Sequence, residues 1–336
     1  MRSRDVIMQD TTETPPVLID GLQYCDWSED VFRELVETGM TAIHATVTYH
    51  GNFQMFVQDV IEWNRLFETY PQYIIKGRSA ADILTAKASG KTAVFLGSQN
   101  PSPMEDNLGL FEVAHDMGLR IMQLTYNTQS AYGSGCFEPT DNGISLMGRE
   151  AIAEMNRLGM LIDMSHSGPI STLQAIDLSQ RPISITHANP LFWHDSARGK
   201  SNDILRALGQ TGGMLGFSLY AHHLRNGADC TLSDFCEMVA KTAEIIGPEN
   251  IGIGSDLCQN RPDSAVAWMR NGMWRKDRQP VAFPEQPAWF SRISDFPGIA
   301  DGLRDAGFSK AETNGIMGGN WMRFFESAFQ PAVSQR

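Results

Sequence analysis

The chain has 336 residues, of which 42% are hydrophobic, and its formal net charge is −12. This content is enough for one large core, and a β/α barrel of this size is an ordinary single domain. The acidic charge excludes nucleic acid as an expected partner, because the chain should repel a phosphate backbone. No apolar run approaches the ~20 residues that a membrane-spanning helix needs, so no membrane contact is expected.

The predicted strands are short runs rich in Ile, Leu, Val and Met. They lie at 17–20, 41–47, 92–96, 119–125, 160–165, 182–186, 213–219 and 250–255. Segments with helical spacing of apolar residues stand between most of them, for example at 53–70 and 148–158. Regular βα alternation predicts the α/β class with a parallel sheet, and eight such units predict a closed TIM-type (β/α)8 barrel.

We expect a single barrel domain over residues 17–328, with one long insertion. Residues 259–297 follow the eighth predicted strand and hold several Pro, Trp and Arg residues with little periodicity. We interpret this stretch as a lid or an oligomer contact. No internal repeat, low-complexity tract or linker indicates a second domain.

The cysteines indicate a reducing compartment. Their number, five, is odd and no Cys-x-x-Cys motif occurs, so neither a disulfide framework nor a structural zinc knuckle is expected. The first sixteen residues carry charged side chains and no continuous apolar stretch, so we expect no secretory signal peptide. The simplest prediction is a cytoplasmic protein with reduced thiols.

Side chains that bind metals or carry protons stand where three predicted strands end. His166 follows the run 162–165, His187 follows 183–186, and Asp256 follows 251–255. Active sites of β/α barrels lie at the carboxyl ends of the strands, so these three side chains are expected to converge. Catalytic zinc takes about three ligands of these types and activates a water molecule. The pattern predicts a metallohydrolase with His166, His187 and Asp256 as ligands; the competing interpretation is histidines that only bond to loops.

Other residues at the predicted barrel mouth are candidates for binding substrate. Arg198 lies in the loop after the sixth strand, where a guanidinium can hold a carboxylate through two hydrogen bonds. An exposed loop arginine explains its position equally well. Tyr126 and Asn127 end the fourth strand and can hydrogen-bond a substrate. Cys136 lies in a glycine-rich loop, where a nucleophile and a structural thiol both remain open, although no adjacent histidine in the sequence would activate it.

Taken together, several motifs resemble the membrane (renal) dipeptidase family of zinc-dependent β/α barrels of the amidohydrolase type. The most specific stretch runs from Gly148-Arg149-Glu150 to Asp163-Met164-Ser165-His166. Shorter ones lie at 124–127, 186–189, 253–256 and 319–323, and the resemblance covers residues from about 17 to 326. It implies a dipeptidase-like metallopeptidase, and it also implies a homodimer.

The resemblance assigns roles to four residues of this chain. The histidines that match His166 and His187 hold one zinc ion in that family, and the aspartate that matches Asp256 binds the other. The arginine that matches Arg198 binds the carboxylate of the dipeptide. All four are present here.

Other positions depart from the family pattern. The family opens with Asp-Gly-His-x-Asp, whose His and Asp bind zinc, but the matching positions are Leu22 and Tyr24. The glutamate that bridges the two ions appears as Gln99, and a substrate-binding histidine appears as Tyr126. Too few carboxylates remain to offset two zinc ions, since uncompensated buried charge is costly. We therefore expect one divalent metal ion, with zinc preferred, or none.

The expected function is hydrolysis of an amide bond in a small, dipeptide-like substrate that carries a carboxylate. Arg198, Asn127 and Tyr24 are the predicted substrate-binding residues. Asp256 is the predicted base, and Tyr126 or Gln99 is expected to bind the developing oxyanion. Two alternatives stay open on the same barrel: a metal-free lyase or isomerase-type enzyme, and a protein that only binds a small ligand.

Overall fold

A computed structural model of the chain describes residues 16–271 and 281–331. Within these ranges the chain forms nine β-strands: β1 Leu18–Gln23, β2 Met40–Thr48, β3 Ile74–Lys76, β4 Thr92–Ser98, β5 Leu119–Gln123, β6 Leu161–Asp163, β7 Ser184–Ile185, β8 Met214–Phe217 and β9 Ile251–Ile253. Nearly all strand residues are buried. Burial on both faces is why the parallel strands are continuous apolar runs rather than alternating ones.

Eight of these strands form a parallel barrel. Their order is β1-β2-β4-β5-β6-β7-β8-β9. The barrel is closed by contacts between the segments that follow β9 and β1, where the Tyr24 amide donates to the Leu257 carbonyl over 2.9 Å. The predicted TIM-type barrel is therefore confirmed. The three-residue strand β3 was not predicted, because so short a run has no periodicity; it pairs with the first half of β4.

Helices cover the outside of the barrel. In the described ranges they are α1 Glu29–Thr38, α2 Phe53–Thr69, α3 Ala80–Ala88, α4 Gly109–Met117, α5 Leu146–Leu158, α6 Pro169–Leu178, α7 Asn202–Gln210, α8 Leu232–Ile246, α9 Asp263–Asn271, α10 Ile299–Asp305, α11 Lys310–Asn314 and α12 Asn320–Ala328. Among them, none has the length and apolar character that crossing a membrane requires.

Local sequence explains where several helices begin and end. The side chains of Ser28, Ser145 and Ser201 accept hydrogen bonds from backbone amides in the first turns of α1, α5 and α7. Gly39 and Gly159 follow α1 and α5 with φ of 78° and 73°, a left-handed conformation that glycine adopts at little cost. These stops return the chain to β2 and β6, and so position the strand ends that carry the site.

Trp321 of α12 fills the amino-terminal half of the barrel interior. Its side chain is fully buried, and its indole nitrogen donates to the Ile253 carbonyl over 2.9 Å. A Cβ atom on Gly21 or Gly252 would lie 2.6 Å from the indole, and one on Gly216 would lie 3.0 Å away. Strands β1, β9 and β8 therefore carry glycine where the ring passes, and the polar site is confined to the opposite end.

The stretch after β9 is attached to the barrel through a buried carboxylate on α1. Glu34 accepts hydrogen bonds from Gln259 Nε2 at 2.7 Å, from Arg292 Nε at 2.7 Å and from the Ser294 amide at 3.1 Å. Residues 272–280 of the predicted insertion lie outside the described ranges. The division into one domain over 17–328 with an insertion at 259–297 stays a prediction.

Candidate active site

A pocket of about 320 Å³ opens at the carboxyl ends of the barrel strands. Seven of the eight residues predicted from the sequence line it: Tyr24, Gln99, Tyr126, Asn127, His166, Arg198 and Asp256. His187 is fully buried and lies next to His166. The predicted residues therefore lie together, as expected for polar residues at the carboxyl ends of parallel strands.

The two histidines face each other through the same ring nitrogen. Their Nε2 atoms are 3.0 Å apart. His166 Nδ1 lies 2.7 Å from Asn127 Oδ1, and His187 Nδ1 lies 2.8 Å from Thr186 Oγ1. Since the Thr186 hydroxyl donates to the Asp163 carboxylate at 2.7 Å, it accepts from His187. In this network both histidines carry their proton on Nδ1, so two Nε2 lone pairs point at one another and together can hold a proton or one cation.

This donor set does not fit the metal centre implied by the resemblance. Among residues 16–271 and 281–331, no group of three or more His, Cys, Asp and Glu side chains is placed to hold a metal ion. Catalytic zinc is usually held by about three protein ligands, whereas His166 and His187 supply two. Asp256 lines the same pocket without completing such a group. The three-ligand set stays a prediction.

Zinc loading followed by removal of free metal is expected to leave at most one equivalent of zinc per chain. Two imidazoles offer one shared position, and Leu22, Tyr24 and Gln99 provide no carboxylate for a second ion. Elemental analysis of the dialysed protein measures this, with His187→Asn as the variant that should lose the ion. Two retained equivalents in the wild type would contradict the prediction.

Asp256 presents a carboxylate to the pocket in an uncommon backbone conformation. Its φ is 61°, and the residue is 8% exposed. The described residues give the carboxylate no hydrogen bond; His223 Nδ1 lies 3.9 Å from Oδ2, and burial lowers the pKa of that histidine, so its imidazole is neutral. Burial raises the pKa of Asp256 to about 7, against the opposing effect of Arg198. Non-glycine residues in this backbone region concentrate at functional sites, and Asn127, also in the pocket, has the same φ of 61°.

Arg198 is a buried residue of the pocket wall, 5% exposed. The interpretation as an exposed loop arginine is therefore wrong. Its guanidinium donates to the backbone carbonyls of Ser165 and of His187, the latter over 3.1 Å. A guanidinium has five N–H groups, so these two acceptors fix its plane and leave donors for a ligand.

Four tyrosines form much of the remaining wall. Tyr24 and Tyr49 meet edge to face at 6.1 Å between ring centres, Tyr49 and Tyr126 do so at 5.6 Å, and Tyr126 stacks on His166 at 4.2 Å. Tyr220 lines the pocket as well. Burial raises the pKa of all four phenols, so they remain protonated hydrogen-bond donors. Tyr24 thus places a neutral donor where the resemblance expects an anionic metal ligand.

Gln99 uses its amide nitrogen within the wall. Its Nε2 donates to Thr46 Oγ1 at 2.9 Å and lies 3.4 Å from the Tyr49 hydroxyl. The same nitrogen is therefore poorly placed to bind an oxyanion in the pocket. This arrangement favours Tyr126 for the role that the sequence divided between Tyr126 and Gln99.

Cys136 does not have the surroundings of a reactive nucleophile. Burial raises the pKa of its thiol and outweighs the opposing effect of Arg198 and Lys200, and its Sγ lies 3.9 Å from Asn127 Oδ1. Reactive cysteines require a lowered pKa beside a base or a positive charge. The structure therefore does not favour a metal-free enzyme that uses this thiol.

Sequence reasoning missed several residues that line the pocket, among them Tyr49, Tyr220 and Arg270. Tyr49 directly follows β2, and Tyr220 comes shortly after β8, so the strand-end rule that found His166 could have found both. Arg270 lies on α9, in the aperiodic stretch after β9, and no local signal pointed to it.

Comparisons with known proteins agree with this architecture. Residues 29–264 match the family model described as membrane dipeptidase (peptidase family M19). Dipeptidase aclJ of Aspergillus oryzae is 24% identical over 266 residues, which are 77% of this chain and 58% of that protein. The chain thus spans less than two thirds of this curated relative.

Solved structures share the barrel over nearly its whole length. An amidohydrolase from Pseudomonas aeruginosa is 32% identical, with a TM-score of 0.89 over 94% of this chain and 97% of that one. A metallo peptidase from Rhodobacter sphaeroides, solved with a phosphinate mimic of the dipeptide L-Ala-D-Ala, has a TM-score of 0.79 at 15% identity. The aligned region covers 94% of this chain and 100% of that chain. At this identity the similarity concerns the fold alone.

The matched region extends from α1 to the start of α9 and contains most of the pocket residues. It includes the motif from Gly148 to His166 on which the resemblance chiefly depends. The resemblance inferred from the sequence is therefore confirmed, and the chain belongs to the membrane dipeptidase family, peptidase family M19.

Proposed function

We propose that this protein is a dipeptidase-like hydrolase that cleaves an amide bond in a small substrate carrying a carboxylate. The observation that carries the proposal is one pocket in which a fixed guanidinium, Arg198, faces the same space as the carboxylate of Asp256, to which the described residues give no hydrogen bond. Family membership and the dipeptidases among the relatives support the reaction class.

The roles follow from the chemistry of each group. Arg198 holds the substrate carboxylate, with Asn127 and Tyr24 as further polar contacts. Asp256 takes a proton from the attacking water and returns it to the leaving amine as the C–N bond breaks. The Tyr126 phenol donates to the oxygen that gains negative charge in between. Each step uses a group that faces the pocket.

Family membership implies a divalent metal ion, and zinc at His166, His187 and Asp256 is the form predicted from the sequence. Among the described residues these three side chains are not placed as one group that could hold a metal ion, so the proton transfers are assigned to the side chains of this chain. The homodimer and the cytoplasmic location expected from the sequence also remain predictions.

A panel of dipeptides with L- and D-residues at each position tests the proposal. Ninhydrin or chromatographic detection of released amino acids is expected to show turnover of at least one member. The matched controls are the same peptides with an amidated carboxyl terminus, which Arg198 should bind poorly. Tight binding of an uncleaved ligand, with no turnover across the panel, would instead support the small-ligand-binding alternative.

Replacing Arg198 by Met is expected to lower kcat/KM for free dipeptides by about 10²- to 10³-fold, because a charge-assisted, two-point contact and the orientation it gives are lost. Arg198→Lys should recover only part of this, since an ammonium lacks the planar fork. The exposed Arg206→Met is the control for loss of charge.

The amidated substrates separate binding from folding in this test. If Arg198 holds the carboxylate, Arg198→Met lowers activity on free dipeptides but not on amidated ones. An equal loss on both would show that the substitution acts by another route.

A further inference from the structure

A second guanidinium enters the pocket from the stretch after β9. Arg270 lies on α9 and lines the pocket together with Val266 and Met269 of the same helix. Its Nη2 donates to the hydroxyl of Tyr220, and its guanidinium carbon lies 5.6 Å from the centre of that ring. Because Tyr220 accepts this bond, its own O–H remains available as a donor beside the guanidinium.

Contacts with the barrel mouth hold α9 in this position. His50, in the loop after β2, donates from Nε2 to the Met269 carbonyl over 3.0 Å. At the start of the helix, Asp263 Oδ1 accepts from the Phe283 amide over 3.0 Å. The Phe283 ring lies 6.3 Å from that of Tyr24, in the pocket wall. Arg270 is thus presented by a helix attached at both ends rather than by a free surface.

The charges around the pocket are unequal. Among its described lining residues, Asp256 is the acidic one, whereas Arg198 and Arg270 both carry a permanent positive charge. Burial raises the pKa of Asp256 and of Tyr126, and both guanidinium groups are near enough to act in the opposite direction on each pKa. Among the described residues Asp256 forms no ion pair with either guanidinium, so a substrate whose single carboxylate is held by Arg198 leaves Arg270 without a carboxylate partner.

We propose that Arg270 and Tyr220 form a second anion-binding subsite, and that the preferred substrate is a dicarboxylate. In chemical terms this is a dipeptide-like compound with an acidic side chain in addition to the carboxylate held by Arg198. The assignment of the substrate class rests on the proposed hydrolase function. The subsite itself rests on the placement of Arg270 and can be tested without turnover.

Kinetics on matched peptide pairs test the substrate class. The pairs are Ala-Glu with Ala-Gln and Glu-Ala with Gln-Ala, which differ by one charge at nearly constant size. In the wild type, kcat/KM for one acidic member is expected to exceed that of its amide partner by about tenfold or more, the effect of a charge-assisted hydrogen bond. In Arg270→Gln the ratio should fall below about threefold, with most of the change in KM.

Two further variants separate charge from structure. Arg270→Lys keeps the charge and should retain part of the preference, and Tyr220→Phe should weaken it while leaving Arg270 in place. Arg206→Gln, an exposed arginine on α7, should leave the ratio unchanged. Equal rates for acidic and amide members in the wild type would overturn the proposal while the hydrolase function stands.

Binding of uncleavable analogues keeps the two proposals distinct. Reduced-amide forms of Ala-Glu, Ala-Gln, Glu-Ala and Gln-Ala are compared by calorimetry in the wild type and in Arg270→Gln. Tighter binding of an acidic analogue that Arg270→Gln abolishes supports the subsite, even if no peptide is hydrolysed. Equal affinities for acidic and amide analogues in the wild type would overturn it.

Discussion

Replacing Asp256 by Asn is expected to lower kcat for amide hydrolysis by about 10²- to 10⁴-fold, the usual contribution of a positioned acid–base group. The amide has the same shape as the carboxylate but cannot take a proton from water at neutral pH. The left-handed φ of 61° should be kept, since Asn tolerates this region as Asp does. The described residues give the carboxylate no hydrogen bond, so few structural contacts are removed.

Steady-state kinetics on the best dipeptide of the panel measure the effect, and thermal unfolding verifies that the variant is folded. KM should change little, because Arg198 rather than Asp256 holds the substrate carboxylate. Asp203→Asn, at an exposed position on α7, is the matched control. A kcat for Asp256→Asn within about threefold of the wild type would remove Asp256 from the acid–base role.

Replacing Trp321 by Ala is expected to lower the free energy of unfolding by about 3–5 kcal/mol, the range for loss of a buried tryptophan. The indole is fully buried and packs on Phe325 with 5.4 Å between ring centres. The space it occupies exists because Gly21 and Gly252 have no side chains there, so the backbone cannot close the cavity cheaply. The hydrogen bond to the Ile253 carbonyl is lost as well.

Urea denaturation followed by circular dichroism measures the difference. Trp321→Phe should cost less, since it keeps part of the ring volume, and Phe192→Ala, at a residue 40% exposed, should cost under about 1 kcal/mol. Gly252→Ala is expected to destabilise by about 1–3 kcal/mol from the opposite cause, overpacking against the same ring. A Trp321→Ala variant as stable as the wild type would show that the barrel interior is filled in another way.

The fold could be predicted because its strands are fully buried. Runs such as Thr92–Ser98 and Leu119–Gln123 are built mainly on apolar residues and lie between stretches of helical spacing. Each strand can therefore be predicted from its own stretch of sequence. Ile74–Lys76 was missed because three residues contain no period. The two-residue strand Ser184–Ile185 is shorter than its apolar run, since pairing partners rather than propensity set where a ladder ends.

The candidate site was only partly predictable. His166 and Asp256 stand directly after strand-like runs, and that position alone indicated that they share the barrel mouth. The resemblance added Arg198, whose burial no local pattern reveals. Arg270 was missed because it lies within a helix rather than at a strand end, and its place beside Tyr220 depends on the contact of α9 with His50, which is far away in sequence.

By itself, the sequence determined the barrel, its family and the residues at its strand ends, since burial periodicity and motif order are local properties of the chain. The tertiary structure alone decided that the two imidazole lone pairs meet at 3.0 Å, with no third ligand placed beside them in the described part of the chain. It also decided that four phenols and two guanidinium groups line the same pocket as one carboxylate. These residues are far apart in the sequence and come together only when the barrel closes. The directions of their side chains, such as the one set by the left-handed backbone at Asp256, are not specified by any local pattern.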